Sequence, residues 1–339
     1  MKTLFFCIIL SWSLTATAQV VTLQPNTSGT YTNPIINEDY PDPSYIKADD
    51  GYFYLYATGE NIKKSRDLVN WTYVGKAFSS DNRPTFVPGV NRFWAPDINK
   101  INGKYVLYFV LSKWGEIDSC GIGVATSDKP QGPFIPYDNP ATPEPEQGKL
   151  FRSYEIGVRN SIDPCYFEED DGKKYLIWGS FNGIYIIELS DDGLSVKSGA
   201  VKQKIAGSAY EGSYIYKRNG YYYFFGSSGT CCSGASSTYH TVYARSTSLF
   251  GPYYNKSGGK LLDNQHELLI QSNSAWAGTG HNAEIVTDKN NDEWIIYHAY
   301  NKKEPNIGRM ALMDKIIWTG DWPRVIGQSP AARAAKPSF

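Results

Sequence analysis

Residues 41–51 read PDPSYIKADDG, and two variants of this stretch recur, as IDPCYFEEDDG at 162–172 and as YEGSYIYKRNG at 210–220. In each copy an acid stands nine residues before a turn glycine, and a run rich in aromatic residues follows the glycine. Glycine favours the tight turns that join antiparallel strands. Each copy is therefore predicted to be a β-hairpin that carries one carboxylate at the same structural position.

The same order of an acidic or aromatic start, a turn and an aromatic strand occurs five times along the chain. The five aromatic strands are predicted over 52–56, 105–109, 175–179, 221–225 and 294–298. Five small antiparallel sheets cannot bury both faces alone, so they must stack on one another. Radial stacking predicts an all-β, five-bladed β-propeller. A β-sandwich is the alternative, but it does not predict repeats of this content.

The N-terminus has the pattern of a secretory signal peptide over residues 1–18. Lys2 precedes an apolar run over 4–10, and small residues precede the expected cleavage site. The apolar run is too short to span a bilayer, and no later stretch resembles a membrane helix. We therefore expect a secreted or periplasmic protein with one propeller domain over 19–328 and a flexible, small and polar tail over 329–339.

Composition and charge narrow the possible partners. The formal net charge of the 339 residues is −1, and no basic field is present, which argues against a nucleic-acid partner. The chain contains 26 Tyr and 9 Trp, with 31 Gly and 19 Pro spread along it, and this composition favours short strands and turns over helices.

Four cysteines follow residue 18: Cys120, Cys165, Cys231 and Cys232. In an exported protein they allow up to two disulfides, and the sequence leaves their pairing open. The adjacent Cys231 and Cys232 are not expected to bridge each other without strain. Buried free thiols are an equal alternative at each position.

Alignment of the five cycles on their turns brings five residues to one position. Asp42, Asp163 and Glu211 stand nine residues before a turn glycine, as does Trp94, and His281 joins them if the fifth turn is two residues longer. Equivalent positions on the first strand of each blade surround the central channel of a propeller. The alignment therefore predicts a ring of three carboxylates, one indole and one imidazole around a single pit.

Clustered carboxyls are suited to acid–base chemistry, because like charges in a poorly solvated site drive their pKa values apart. One carboxyl can stay protonated as a general acid while another stays ionised as a base. Such a pair flanking a substrate hydrolyses glycosidic bonds, and Trp94 offers a flat surface for the apolar face of a sugar. A turn-capping role would explain any one of the acids, but it explains three in register poorly.

Seven motifs together carry a family resemblance. They are YPDPS (40–44), WAPDI (94–98), NSIDP (160–164), YIYKRNGYYY (214–223), CC followed by STY (231–232 and 237–239), GHN (280–282) and YHAY (297–300). With these motifs the chain resembles glycoside hydrolase family 43, a family of five-bladed propellers, and within it the arabinan endo-1,5-α-L-arabinosidases. The resemblance covers about residues 33–325.

The resemblance implies a role for each acid. Asp42 would be the general base that activates water, Glu211 the general acid that protonates the leaving oxygen, and Asp163 the group that raises the pKa of Glu211 and orients it. The family inverts configuration, so the base and the acid are expected to lie roughly 6.5–9.5 Å apart.

The resemblance further implies that His281 is the one protein ligand of a hydrated calcium ion in the channel. Calcium prefers oxygen ligands, so water must supply most of its shell. The alternative for His281 is a hydrogen-bonded channel residue without a metal.

A set of substrate-binding residues is implied as well. It comprises Asp42, Trp94, Trp114, Gly115, Asn160, Ser161, Ile162, Asp163, Ser180, Phe181 and Asn182. Ordinary loop packing is the alternative for the loop residues among them. Arg309 is expected to form a surface or structural ion pair rather than to reach the site.

One departure from the family pattern concerns the acid. The branch usually follows it with Ala-Pro, whereas Gly212 and Ser213 follow Glu211 here, which is expected to loosen the backbone. The prediction is a monomeric, secreted, inverting hydrolase that cleaves α-1,5-linked L-arabinan in endo fashion, with arabinan or its oligosaccharides as partners. The alternatives are an exo-acting α-L-arabinofuranosidase or β-xylosidase of the same family, and a non-catalytic carbohydrate-binding propeller.

Overall fold

The computed structural model describes residues 29–90, 92–140 and 146–339. The signal peptide predicted over 1–18 lies outside these residues. Within them the chain is almost entirely β-strand and turn. No helix in the described ranges is long and apolar enough to cross a membrane.

The strands follow one another in five antiparallel sheets, which we call blades. Strand β1 (Thr30–Thr32) precedes them. The first blade comprises β2 (Ser44–Lys47), β3 (Phe53–Tyr56), β4 (Asn61–Ser65) and β5 (Thr72–Lys76). The second comprises β6 (Phe93–Ile101), β7 (Lys104–Leu111), β8 (Gly121–Ser127), β9 (Ile135–Pro136) and β10 (Lys149–Arg152). The third comprises β11 (Cys165–Glu168), β12 (Lys174–Trp178), β13 (Ile184–Glu188) and β14 (Gln203–Ala206).

The last two blades are joined to each other by a parallel bridge between His240 and Thr279. The fourth comprises β15 (Glu211–Arg218), β16 (Tyr221–Ser228), β17 (His240–Ser246) and β18 (Glu267–Ile270). The fifth comprises β19 (Trp276–Gly280), β20 (Ile285–Thr287), β21 (Glu293–Asn301), β22 (Arg309–Thr319) and β23 (Trp322–Arg324), and β24 (Arg333–Ala335) follows it. Strands β19 and β20 both pair with β21, so together they form one interrupted inner strand.

The helical segments are short. They are α1 (Ser153–Ile156) and the 3₁₀ turns Ser80–Asn82, Gly234–Ser236, Leu261–Asp263, Pro305–Ile307 and Ile326–Gln328. They connect strands and contribute little to the core.

Hydrogen bonds between successive inner strands close the blades into a ring. The five bonds are Ile98 N to Ser44 Oγ (3.0 Å), Tyr166 N to Asp97 Oδ2 (2.8 Å), Gly212 N to Asp163 Oδ2 (3.0 Å), Ile285 N to the Tyr214 hydroxyl (3.3 Å) and Tyr45 N to Glu284 Oε2 (2.7 Å). They join blade one to two, two to three, three to four, four to five, and five back to one. The predicted five-bladed propeller is confirmed.

The core lies between the blades rather than at the centre of the ring. Buried apolar side chains form five clusters, and each cluster spans one interface between neighbouring blades. At the interface of the first two blades, for example, Tyr56 and Ile62 pack with Phe93 and Phe109. Large rings fill the wedge between twisted sheets, which explains why each repeat carries an aromatic strand.

The C-terminal segment is ordered, so the flexible tail expected over 329–339 is wrong. Strand β24 pairs with β1, and Thr30 lies opposite Ala335. The Phe339 ring packs edge-on against Phe53, with centroids 4.7 Å apart. Backbone pairing holds the segment, and a polar composition does not reveal such pairing.

Two carboxyls lie in the channel and take part in the ring of hydrogen bonds. Asp97 Oδ2 accepts from Tyr166 N and from the Asn99 amide, and Glu284 accepts from Ser44 Oγ and Tyr45 N. Burial raises the pKa of Asp97 to about 7. Burial, together with the charge of Asp97, raises the pKa of Glu284 to about 8.

We expect the free energy of unfolding to fall between pH 5 and pH 8. In the variant Asp97→Asn, this free energy should fall less over the same range. Both pKa values are raised on folding, so the protonated carboxyls favour the folded state at low pH. That contribution is lost as the pH rises from about 4 towards 7 and 8. An Asn side-chain oxygen can still accept both hydrogen bonds but does not titrate. Thermal midpoints at several pH values measure the effect, with the exposed Asp128→Asn as control, and parallel curves for wild type and Asp97→Asn would contradict it.

Candidate active site

Backbone irregularities at the top of the inner strands aim five side chains at the channel. Asp42, Asp163 and His281 themselves have positive φ angles of 56°, 57° and 48°. After Trp94 and Glu211 the positive φ falls on the next residue, and the strand register shifts there. Such bulges redirect a side chain at the end of a strand. Since left-handed backbone is costly for residues other than glycine, its repetition in every blade indicates a functional constraint.

The five residues predicted to form a ring line one cavity of about 380 Å³. Its full lining is Asp39, Asp42, Thr58, Arg92, Trp94, Ala95, Trp114, Ile162, Asp163, Glu211, Cys231, Cys232, His281, Tyr300, Gly308 and Arg309. The three acids lie deep in this cavity, with 6–8% of their surface exposed.

Asp42 is surrounded by groups that stabilise its ionised form. Arg309 Nη1 donates to Asp42 Oδ1 at 2.8 Å, and Thr58 Oγ1 donates to Oδ2 at 2.7 Å. The Nδ1 atoms of His281 and His298 each lie 3.3 Å from Oδ1. Burial alone would raise the pKa of Asp42, but the charge of Arg309, with the two imidazoles, holds it well below its usual range. Asp42 is therefore ionised at neutral pH.

The pKa values of Asp163 and Glu211 are shifted in the opposite direction, upward. Burial, the charge of Glu211 and the charge of Asp42 raise the pKa of Asp163 well above its usual range. Burial also raises the pKa of Glu211, although Ser180 Oγ donates to Glu211 Oε2 at 2.6 Å and opposes the shift. This pair thus retains a proton at pH values where exposed carboxyls have lost theirs. The cavity therefore contains one carboxyl whose pKa is lowered beside two whose pKa values are raised.

Gly212 fixes the acid rather than loosening the backbone, so that expectation was wrong. Its φ is 55°, and its amide donates to Asp163 Oδ2 at 3.0 Å. A Cβ at this position would lie 3.0 Å from the ring of His281. Glycine is needed here because the turn is left-handed and the imidazole of the next blade approaches closely.

His281 can hold an ion only with the help of water. No group of three or more His, Cys, Asp or Glu side chains in the described ranges is placed to bind a metal directly. Burial lowers the pKa of His281, so its imidazole is neutral and one nitrogen is free to act as a ligand. Nearby, the buried Asn282 Oδ1 and His298 Nε2 have no hydrogen-bond partner. These groups fit a hydrated ion with one protein ligand, and they do not fit a directly coordinated one.

Two indoles from the second blade form one wall of the cavity. The rings of Trp94 and Trp114 lie 6.4 Å apart and are tilted by 60°. Trp114 is 76% exposed, which is unusual for so large an apolar side chain. A flat apolar surface at the mouth of a polar cavity is typical of a ligand-binding site.

Most of the remaining predicted substrate-binding residues do not line the cavity. Ile162 lines the cavity, but Gly115, Asn160, Ser180, Phe181 and Asn182 are not among its lining residues.

Asn160 and Asn182 both donate to Ser180 O, and Ser180 in turn holds Glu211. Ser161 is fully buried, donates to Val158 O and accepts from Trp178 Nε1, so its predicted contact with substrate is wrong.

Three features in and around the cavity were not predicted from the sequence. Arg309 was expected to form a surface or structural ion pair, but it is largely buried and contacts Asp42 in the cavity. His298 lies beneath Asp42, and burial lowers its pKa to about 4.

The third feature is the disulfide that joins Cys231 to Cys232, which corrects the expectation that these neighbours would not bridge. The turn accommodates the bond because Cys232 adopts a left-handed conformation, with a φ of 63°. Cys120 and Cys165 are buried free thiols, as the sequence allowed.

Carboxyls with oppositely shifted pKa values beside a flat apolar wall, in one cavity of a propeller, are typical of a carbohydrate-active hydrolase, a glycosidase. Comparison with known proteins agrees: the profile of "Glycosyl hydrolases family 43" matches residues 31–323. The chain belongs to this family.

Characterised relatives cover most of the chain. It is 31% identical over 314 residues to an extracellular exo-α-(1→5)-L-arabinofuranosidase of Cellvibrio japonicus, covering 85% of this chain and 86% of the relative. It is 32% identical over 302 residues to extracellular endo-α-(1→5)-L-arabinanase 1 of Bacillus subtilis, with 85% and 88% covered. Among solved structures, the α-L-arabinanase of Cellvibrio cellulosa complexed with arabinohexaose has a TM-score of 0.74 at 29% identity, and the match covers 85% of this chain and 95% of that one.

Proposed function

We propose that this protein is a secreted, inverting glycosidase that cleaves α-1,5-linked L-arabinan in endo fashion. The observation that carries the proposal is the opposite shift of carboxyl pKa values in one cavity, lowered for Asp42 and raised for Asp163 and Glu211. The resemblance to two enzymes that act on α-(1→5)-linked arabinan supports the substrate.

The proposed mechanism uses one group on each side of the scissile bond. Asp42 accepts a proton from a water molecule, which attacks the anomeric carbon from the face opposite the leaving group. Glu211 donates its proton to the glycosidic oxygen, and the bond from that oxygen to the anomeric carbon breaks. Inversion requires space for the water, so the predicted separation of roughly 6.5–9.5 Å between the two carboxyls stays part of the proposal.

The surrounding residues hold these groups in the required states. Arg309 and Thr58 keep Asp42 ionised and oriented. Asp163 accepts the amide of Gly212, the residue after the acid, and so positions Glu211, while Ser180 fixes one oxygen of its carboxyl. Asp163 is thus a positioning residue.

A hydrated calcium ion at His281 is a further part of the proposal. Bound there, the ion would supply positive charge beside Asp42. The measurement is calcium binding to chelator-treated protein, which His281→Ala is expected to abolish. Secretion and a monomeric state are proposed as well, and the extracellular names of the two relatives support the former.

Endo action is favoured by the exposed indole at the mouth of the cavity. Trp114 lies beyond Trp94, so a sugar outside the buried part of the cavity can still stack on an apolar face. An exo-acting α-L-arabinofuranosidase is the second candidate, because one relative of similar identity carries that name.

The products released from linear 1,5-arabinan test the function. We expect oligosaccharides of mixed length early in the reaction and little hydrolysis of aryl xylosides. Chromatography of samples taken at low conversion separates the candidates. Monomer or a single short product from the start would favour the exo-acting alternative, and no hydrolysis of arabinan at all would contradict the proposal.

A further inference from the structure

We infer that the Cys231–Cys232 disulfide is a sugar-contacting wall of the cavity, which binds an arabinose residue of the chain beyond the two that flank the cleaved bond. This inference rests on the proposed function. It assigns a substrate-binding role to two residues that the sequence left without one.

The position of the disulfide places it beside substrate. Both cysteines line the cavity that contains Asp42 and Glu211. They lie in the loop between β16 and β17, in the blade whose inner strand carries the acid. Cys231 is half-buried and Cys232 is exposed, whereas the three acids are buried. The disulfide therefore lies at the rim and not at the floor of the cavity.

The loop that carries the disulfide is held rigidly at its base. Thr230 N donates to Thr238 Oγ1 at 2.9 Å, and Ser237 Oγ donates to Thr230 O at 2.7 Å. The strands come so close there that a Cβ on Gly229 would lie 2.5 Å from Thr238 O. On the outer side of the loop, a Cβ on Gly234 would lie 3.5 Å from Pro305 Cβ, so that side is close to a neighbouring segment. Such a loop presents its sulfur atoms in a fixed position, and a fixed surface binds a ligand at low entropic cost.

The chemistry of the disulfide complements that of the two indoles in the same cavity. Its sulfur atoms are apolar and polarizable, and they carry no hydrogen-bond donor. The equivalent loop of the second blade, between β7 and β8, carries Trp114. The indole and the disulfide thus line the same cavity from the second and fourth blades, which are not neighbours in the ring. A sugar ring has apolar C–H surfaces on both faces, which such a pair of walls can cover.

The charged residues of the rim do not provide this contact. Asp39 and Arg92 pair with each other at 3.4 Å, and Arg309 is engaged with Asp42. Among the described lining residues of the fourth and fifth blades, the apolar side chains are the disulfide and the ring of Tyr300.

The test compares the double variant Cys231→Ser/Cys232→Ser with wild type on a long and a short ligand. Arabinohexaose reaches the rim, whereas arabinobiose occupies only the two positions at the acids. We expect KM for arabinohexaose to rise about tenfold with little change in kcat, the effect of losing contact with one or two methylene-sized groups. The inhibition constant of arabinobiose should stay unchanged. The matched control is Ser236→Ala, an exposed residue of the same loop.

A phosphine reductant applied to wild type provides a measurement that does not depend on folding of the variant. Among the described cysteines it can break only this bond, and it should raise KM for arabinohexaose as the substitution does. Equal losses on both ligands would show that the disulfide supports the acids, and unchanged KM would show that it contacts no sugar; either overturns the inference. A wild-type protein that hydrolyses no arabino-oligosaccharide overturns the proposed function instead, and this inference falls with it.

Discussion

Replacement of Glu211 by Gln is expected to lower kcat on linear arabinan by about 10²- to 10⁴-fold, the usual contribution of a general acid. Gln has the shape of Glu and can keep the hydrogen bond from Ser180, but it has no proton to donate at the pH of the assay. KM should change little, because the change affects a proton transfer in the transition state and not the contacts of the bound sugar. Initial rates over a range of arabinan concentrations measure both parameters.

A substrate with an activated leaving group tests the role of Glu211 more directly. A dinitrophenyl arabinofuranoside has a leaving group that departs without protonation, so Glu211→Gln should lose far less activity on this substrate than on arabinan. Equal losses on both substrates would contradict the assignment as general acid and would indicate a structural effect.

The dependence of kcat/KM on pH provides a third test of the role of Glu211 with the same variant. The wild type is expected to lose activity at alkaline pH as these carboxyls ionise, and the raised pKa values of Asp163 and Glu211 place this limb above the range of ordinary carboxyls. In Glu211→Gln the alkaline limb of kcat/KM should disappear or move, because the group that must be protonated is gone. An unchanged limb would assign it to another group.

The fold could be predicted because its signal is repeated. Five turns, five aromatic strands and five inner-strand residues in register specify five blades, and each buried aromatic cluster fills one interface between them. The same register located Asp42, Asp163 and Glu211, since equivalent positions of a ring must converge on its axis. Repetition converts a weak local pattern into a strong one.

The residues that control the acids could not be found in this way. Arg309 begins β22, the third strand of its blade, whereas the third strands of the other blades begin with Asn61, Gly121, Ile184 and His240. Arg309 reaches Asp42 because the fifth blade packs against the first blade where the ring closes. The disulfide was not predicted for a related reason. The sequence does not reveal the left-handed turn at Cys232 that accommodates it.

The substitution Asp42→Asn is expected to abolish turnover to a similar degree, about 10²- to 10⁴-fold in kcat. Asn is isosteric, and its one side-chain oxygen can still accept from Arg309, but it cannot take a proton from water. The loss of the Asp42 carboxylate should also remove the acidic limb of the pH profile. In the wild type this limb lies at low pH, because activity falls only when Asp42 is protonated and Arg309 holds its pKa well below the usual range.

An added nucleophile separates the loss of a base from the loss of structure. Azide attacks without general-base assistance, so it should restore turnover of an activated aryl arabinofuranoside by Asp42→Asn and yield a glycosyl azide of inverted configuration. The matched control is Asp39→Asn, a carboxyl at the same cavity that lies outside the ring and should lose much less activity.

Stability must be measured in parallel, since Asp42→Asn leaves the charge of the largely buried Arg309 unpaired. A folded variant that azide does not rescue would contradict the role of Asp42 as the base. Rescue with retained configuration would contradict the inverting mechanism, because a nucleophile that enters in place of the water must attack the same face.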